Sequence, residues 1–76
     1  MANSEKIFAE LRKAIEASVA DNEAKQTLVA KAVELQENLG KPSAWKIYQD
    51  FVASAANHMT AIGPFIPALT ALLPPQ

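Results

Sequence analysis

Apolar residues recur at intervals of three and four along the first forty positions, which is the spacing of amphipathic α-helices. The recurring apolar positions are Ile7, Leu11, Ala14, Ile15 and Val19 in the first stretch, and Ala24, Leu28, Ala32, Leu35 and Leu39 in the second. Charged residues fill the opposite sides. The pattern predicts two helices, over about 4–20 and 22–39, each with one buried and one solvated face.

The residues between the apolar stretches predict where these helices begin and end. Asp21 precedes the second helix and has a side chain that can accept a hydrogen bond from the first turn. Gly40 suits a left-handed cap at the end of that helix, and Pro42 cannot continue it. Ser43 is then expected to cap a third helix.

The third apolar pattern is the widest, and a shorter one follows it. Its buried face is predicted to contain Ile47, Tyr48, Phe51, Val52, Ala55, Met59 and Ile62. Gly63-Pro64 should end this helix near residue 62, and a short fourth helix should cover about 64–73, because proline suits a first helical turn. Pro74-Pro75 should stop the fourth helix and leave a proline-rich tail, 74–76.

The predicted fold class is all-α. The short connections favour a small antiparallel helical bundle with three long helices, 4–20, 22–39 and 43–62, and the short helix 64–73. A chain of 76 residues is expected to form a single domain, 1–76, close to the lower size at which one hydrophobic core suffices. Self-association would add stability to so small a core.

The distribution of charge is the feature that bears most on function. All fifteen Asp, Glu, Lys and Arg residues lie between Glu5 and Asp50, and the last 26 positions carry no formal charge. An apolar segment of this kind must be buried in the fold, covered by a partner or placed against lipid. The residues expected to supply an interface are Trp45, Phe65, Ile66, Leu69, Leu72 and Leu73.

The sequence contains few residues that could support catalysis or bind a metal ion. His58 is the only histidine and there is no cysteine, so we expect no metal site, no cofactor and no enzyme activity. Ser54 precedes His58 by one helical turn, but a catalytic role would require a third, orienting group. Seven basic and eight acidic residues are interspersed, so no basic stripe is present and nucleic acid is not an expected partner.

A resemblance adds to this interpretation. The segment WKIYQDFVASAANHM, from Trp45, and the later GPFIPALTALL resemble the C-terminal helical segments of some bacterial conflict-system proteins. In that family, small all-helical effector-associated domains recruit, or are fused to, effector modules such as NTPases and proteases. The resemblance covers residues 45–73 and implies an adaptor-like role.

Two main hypotheses follow. The first is a non-enzymatic protein-interaction module, an adaptor or oligomerisation domain, that binds a protein partner or a second copy of itself, a homodimer, through the uncharged C-terminal third. The second is a small protein that docks peripherally on membranes with the same segment. A small enzyme or ligand carrier, with His58 and Tyr48 lining a pocket between helices, is a third, weaker possibility. A cytoplasmic location is expected, because charged residues interrupt any apolar run near the N-terminus and cysteine is absent.

Overall fold

The computed structural model describes residues 3–73, which contain helices and turns and no β-strand. The α-helices are α1 (Asn3–Ser18), α2 (Asn22–Glu37), α3 (Ala44–Ser54), α4 (Met59–Ile62, a single turn) and α5 (Ile66–Leu72). Two 3₁₀ turns, Ala56–His58 and Gly63–Phe65, flank α4. The Cα radius of gyration is 11.5 Å, a value typical of a compact chain of this length. The predicted all-α class is confirmed.

Helices α1 and α2 lie close to their predicted positions, and each ends two residues earlier than expected. The carboxylate of Asp21 accepts a 2.8 Å hydrogen bond from the backbone N–H of Ala24, as an N-cap does. A 3.3 Å hydrogen bond from Arg12 Nη1 to Gln36 Oε1 links the two helices near the middle of α1 and the end of α2.

The end of α2 differs from the prediction. No glycine in the described part of the chain has a positive φ, so the expected left-handed cap at Gly40 is wrong. Asn38 takes over this role, because its side-chain amide donates a 2.8 Å hydrogen bond to the carbonyl of Glu34. Its backbone N–H reaches the carbonyl of Leu35 at 3.1 Å. Ser43 precedes α3 but makes no side-chain cap, so that prediction is also wrong.

The predicted third helix, 43–62, is broken at Ala55. The N–H of Ala55 is shared between the carbonyls of Phe51 and Val52, and the N–H of His58 donates to the carbonyl of Ala55 at 2.8 Å, which starts the 3₁₀ turn. Ala55 itself is fully buried. The break redirects the chain so that α4 packs on α1. Tertiary packing therefore overrides the helical preference of this alanine-rich segment.

The fourth predicted helix is present but shorter. Gly63–Phe65 forms a 3₁₀ turn, and α5 begins at Ile66 with Pro67 in its first turn, where the missing N–H leaves no intrahelical hydrogen bond unmade. The expected stop at Pro74-Pro75 and the tail 74–76 lie outside the described residues.

The described helices share one hydrophobic core. Its fully buried large side chains are Phe8, Leu11, Ile15, Val19, Leu28, Leu35, Phe51, Ile62 and Leu69. Helix α2 lies between α1 and α3, while α4 and α5 pack against α1. The first and last described helices are therefore in contact, and α1 receives apolar side chains from both α2 and the C-terminal segment.

Candidate functional site

The surface of α5 and the turn before it is apolar on its outer side. Pro64, Pro67 and Ala71 are exposed, and they are separated by three and four residues, so they lie along one line of the helix. Phe65, Ala68 and Leu72 repeat the same spacing one position later and are partly exposed. We call these six residues together the α5 face. No charged or hydrogen-bonding side chain belongs to it.

The core-facing side of α5 is separate from this surface. Leu69 is fully buried and Leu73 is 8% exposed. Both had been expected to contribute to an interface, and within this chain they pack into the core instead. The other three predicted interface residues of this segment, Phe65, Ile66 and Leu72, are all partly buried and pack against the core.

Thr70 is the only polar residue between Ala61 and Leu73. Its hydroxyl oxygen lies 2.9 Å from the carbonyl oxygen of Pro67 and 3.1 Å from that of Ile66. The hydroxyl therefore donates within its own helix, as threonine commonly does in helices. Its hydrogen-bonding capacity is partly used by the backbone, and the polarity that α5 presents to its surroundings is reduced further.

Trp45 lies outside the α5 face. It is partly buried at the start of α3, where its ring meets that of Tyr48 in an edge-to-face arrangement. The principal neighbours of α3 are α2 and the Ala56–His58 turn, whereas those of α5 are α1 and the Gly63–Phe65 turn. The principal helix contacts do not bring Trp45 together with Phe65 and Leu72, so one continuous surface containing all three is not evident.

His58 borders a shallow cleft of about 440 Å³ whose other lining residues are Ser18, Asn57, Thr60 and Ala61. Ser54 borders a different cleft, beside Asp21 and Thr27. The one-turn spacing of Ser54 and His58 in the sequence is lost because the helix breaks at Ala55. The pairing that would have suggested nucleophilic catalysis is therefore not assembled.

The His58 cleft is lined by both polar and apolar atoms and by no Asp, Glu, Lys or Arg side chain. Tyr48, which had been considered as a second lining residue, packs with Trp45 and does not line this cleft. Within residues 3–73, no group of three or more His, Asp and Glu side chains is placed to hold a metal ion.

The helix lengths bear on the membrane alternative. No helix within the described range is both long enough and apolar enough to cross a bilayer. The apolar C-terminal third is divided among α3, α4, α5 and their turns, and α5 has seven residues.

The sequence-based prediction of an interface includes Phe65 and Leu72 and omits Pro64, Pro67 and Ala71, which form the most exposed line of the α5 face. A signal was present. Leu69 and Leu73 are four residues apart, and the prolines and Ala71 lie on the opposite side of the helix, so the size of the apolar side chains, and not their periodicity, distinguishes the two sides.

Comparisons with known proteins identify no relative. No protein-family model, curated protein or solved structure matches this chain. The resemblance of residues 45–73 to effector-associated domains of conflict-system proteins thus stays a hypothesis.

Proposed function

We propose that this protein is a non-enzymatic interaction module, an adaptor or oligomerisation domain, that binds another protein through the α5 face. The observation that carries the proposal is the partial exposure of Phe65 and Leu72 on a helix whose outer side offers no charge and no hydrogen-bonding side chain. Apolar surface of this kind is stabilised when a partner removes it from water.

The make-up of the α5 face resembles the centre of a protein interface more than the general surface of a protein. Interface centres are depleted in charged residues and enriched in aromatic ones, and the α5 face has no charge and one aromatic residue, Phe65. The rest of the chain differs, because α1 exposes Glu5, Lys6, Glu10, Lys13 and Glu16. The charged surface would keep the protein dispersed in water while the α5 face provides the binding site.

The exposed line of the α5 face, which consists of Pro64, Pro67 and Ala71, is not buried in the core. Phe65 and Leu72 differ, because they pack against the core and are only partly exposed. Burial in the core therefore does not explain the apolar character of the exposed line, and this is the physical reason to assign it to binding.

A peripheral membrane-docking protein is the second candidate, supported by the same uncharged segment. Interfacial helices of that kind usually combine an apolar face with Lys or Arg on the polar face. Helix α5 and the turn before it have no basic residue. The protein-binding function is therefore favoured.

Site-specific photo-crosslinking tests the proposal. A benzophenone amino acid is placed at Ala71, on the α5 face, and in a matched variant at Ala30, an exposed alanine of α2. Both full-length variants are expressed in the organism that encodes the protein and irradiated. We expect protein adducts from position 71 and none from position 30.

The outcomes separate the hypotheses. Protein adducts restricted to position 71 support an interaction module. Adducts from both positions, or from neither, would show that the α5 face has no special binding role. Lipid adducts from position 71, together with flotation of the purified protein with liposomes, would replace this function with membrane docking.

A further inference from the structure

We propose that this chain can form a domain-swapped dimer, in which residues 59–73 of one copy pack on α1 of the other. The inference goes beyond the proposed function, because it concerns the buried contacts of α4 and α5 and not the exposed α5 face. The motion that permits the exchange is the straightening of the break at Ala55, which turns α3 and α4 into one continuous helix. We call this form of the chain open and the form with the break closed.

The local sequence at the break favours the continuous helix. The segment 53–58 contains no glycine or proline, and three of its six residues are alanine, the strongest helix former. Phe51, Ala55 and Met59 are four residues apart, so the apolar spacing of a helix also runs through the break. The segment therefore favours the open form locally, and packing with the rest of the chain holds it in the closed form.

The backbone at the break is already close to that of a helix. Ala55 has φ −92° and ψ 5°, and His58 has φ −126° and ψ 23°. Relative to an α-helix, φ and ψ differ by about 30° and 45° at Ala55 and by about 65° each at His58. Met59 has angles of −66° and −22°, close to helical values. Straightening therefore needs rotations at two residues, and neither residue has to pass through positive φ.

Straightening the break uncovers two apolar surfaces at once. Ile62 and Leu69 are fully buried in the closed chain, where α4 and α5 are in contact with α1. The break is what directs α4 onto α1, so an open chain cannot make these contacts with its own α1. An open monomer would leave both surfaces in water, at a cost in free energy.

A second copy is the partner that fits, because each uncovered surface has its complement within the same sequence. On α1 of the other copy, residues 59–73 meet the same side chains that they contact in the closed chain. An unrelated apolar protein would have to supply this shape independently. Exchange of an identical element is a low-cost route to a dimer. It also replaces the Ala56–His58 3₁₀ turn of each copy by α-helix, which has better hydrogen-bond geometry.

Refolding the purified full chain from urea at about 1 mM, with a reference refolded at about 1 µM, tests the inference. Opening requires buried contacts to separate, and refolding at high concentration lets two open copies meet before each closes on itself. Sedimentation velocity should show a species of twice the 8.2 kDa chain mass after concentrated refolding. The dilute reference should contain the single chain.

The contacts across the dimer identify the exchange. Copies with ¹³C-labelled methyl groups are refolded together with unlabelled copies, and intermolecular NOEs are recorded by isotope filtering. We expect NOEs from Ile62 or Leu69 of one copy to the buried residues of α1 in the other. A dimer joined through exposed surfaces would give none of these NOEs, since Ile62 and Leu69 are fully buried in each closed copy.

Variants at the break should change the dimer fraction. A Gly-Ser-Gly insertion between Ala56 and Asn57 interrupts the continuous helix and lengthens the connection, so it should lower the fraction at least about tenfold. The same insertion between Ala20 and Asp21, in the connection of α1 and α2, is the matched control and should leave the fraction unchanged. Circular dichroism of the dilute variants should show the helicity of the wild type.

A substitution pair tests the same point without lengthening the chain. Asn57 is exposed, so neither Ala nor Gly at this position disturbs the core. Asn57→Ala should have an association constant about tenfold higher than that of Asn57→Gly, because the difference in helix propensity counts once at each of the two breaks of the dimer.

A chain that stays monomeric after refolding at about 1 mM, a dimer without the NOEs to α1, or equal association of the two Asn57 variants would overturn the inference. The proposed function is tested separately, since protein adducts from position 71 require neither a dimer nor a continuous helix.

Discussion

The ring of Trp45 meets the ring of Tyr48 edge to face, with centroids 5.9 Å apart and ring planes at 87°. The two residues lie one turn apart on α3, and both are partly buried. Such pairs add about 0.5–1.5 kcal/mol beyond their burial. This contact places the only tryptophan of the chain among residues of α3, away from the principal neighbours of α5.

Trp45 fluorescence should therefore be insensitive to changes on the α5 face. Ala71→Glu should leave the emission maximum unchanged, because Tyr48 and the other neighbours of α3 set the surroundings of the indole. A shift of the emission maximum in Ala71→Glu would instead place Trp45 close to α5.

The two leucines of α5 should respond differently to truncation. Leu69→Ala should lower the free energy of unfolding by about 2–5 kcal/mol, because it leaves a cavity in the core. Leu72→Ala should cost about 1 kcal/mol, since its side chain is only partly buried. Urea denaturation of the purified protein measures both effects. Equal losses would contradict the orientation of α5.

The cap on α2 gives a third prediction. Asp21→Ala removes the acceptor of the 2.8 Å hydrogen bond from the N–H of Ala24 and should cost about 1 kcal/mol. For a domain of this size, that corresponds to a fall in Tm of about 4–8 °C. Asp21→Asn is the control, because asparagine caps about as well. If Asn and Ala lower the Tm equally, the cap does not contribute.

Replacing each of the two glycines by alanine should change the stability of the fold by different amounts. A Cβ at Gly40 would meet no atom within 4 Å, and its φ is not positive, so Gly40→Ala should stabilise the fold by about 0.4–1 kcal/mol by restricting the unfolded chain. Gly63 has a helical backbone, with φ −50° and ψ −42°, immediately before Pro64. A proline disfavours that conformation for any preceding residue with a Cβ.

Gly63→Ala should therefore gain less than Gly40→Ala, or lower stability outright. Thermal unfolding by circular dichroism of the two single variants compares them directly. A larger gain at Gly63 would show that strain against Pro64 is negligible and that unfolded-state entropy dominates at both positions.

The bond between Arg12 and Gln36 can be measured with a double-mutant cycle. Arg12→Met and Gln36→Met remove one partner each while keeping most of the apolar stem. At 3.3 Å and with both side chains partly exposed, we expect a coupling free energy of about 0.5–1 kcal/mol. A coupling of zero in urea denaturation would mean that water replaces either partner without loss.

Local sequence patterns are sufficient to predict the first half of the fold. Helices α1 and α2 follow from their apolar periodicity, and Asp21 marks the start of α2 because its side chain can reach only nearby N–H groups. Gly40 was misassigned because Asn38 supplies a competing local cap, using its side chain as well as its backbone. Such choices between neighbouring caps depend on geometry that the sequence does not specify.

The second half of the fold could not be predicted from local patterns, because its structure depends on tertiary contacts. Nothing between Ala53 and His58 forbids a continuous helix, since the segment contains no glycine or proline, and the break at Ala55 follows from packing α4 on α1. In α5, apolar residues occur on every side, so periodicity could not separate the buried Leu69 from the exposed Ala71.

The contact between α1 and α5 joins segments from opposite ends of the described chain. During synthesis on the ribosome, α1 and α2 emerge before α4 and α5, so the side of α1 against which α4 and α5 pack stays uncovered until those helices are made. Nascent chains that stall before residue 59 would expose this apolar side of α1 to chaperones and proteases. Synthesis of residues 59–72, more than the pairing of α1 with α2, should therefore decide when α1 becomes resistant to degradation.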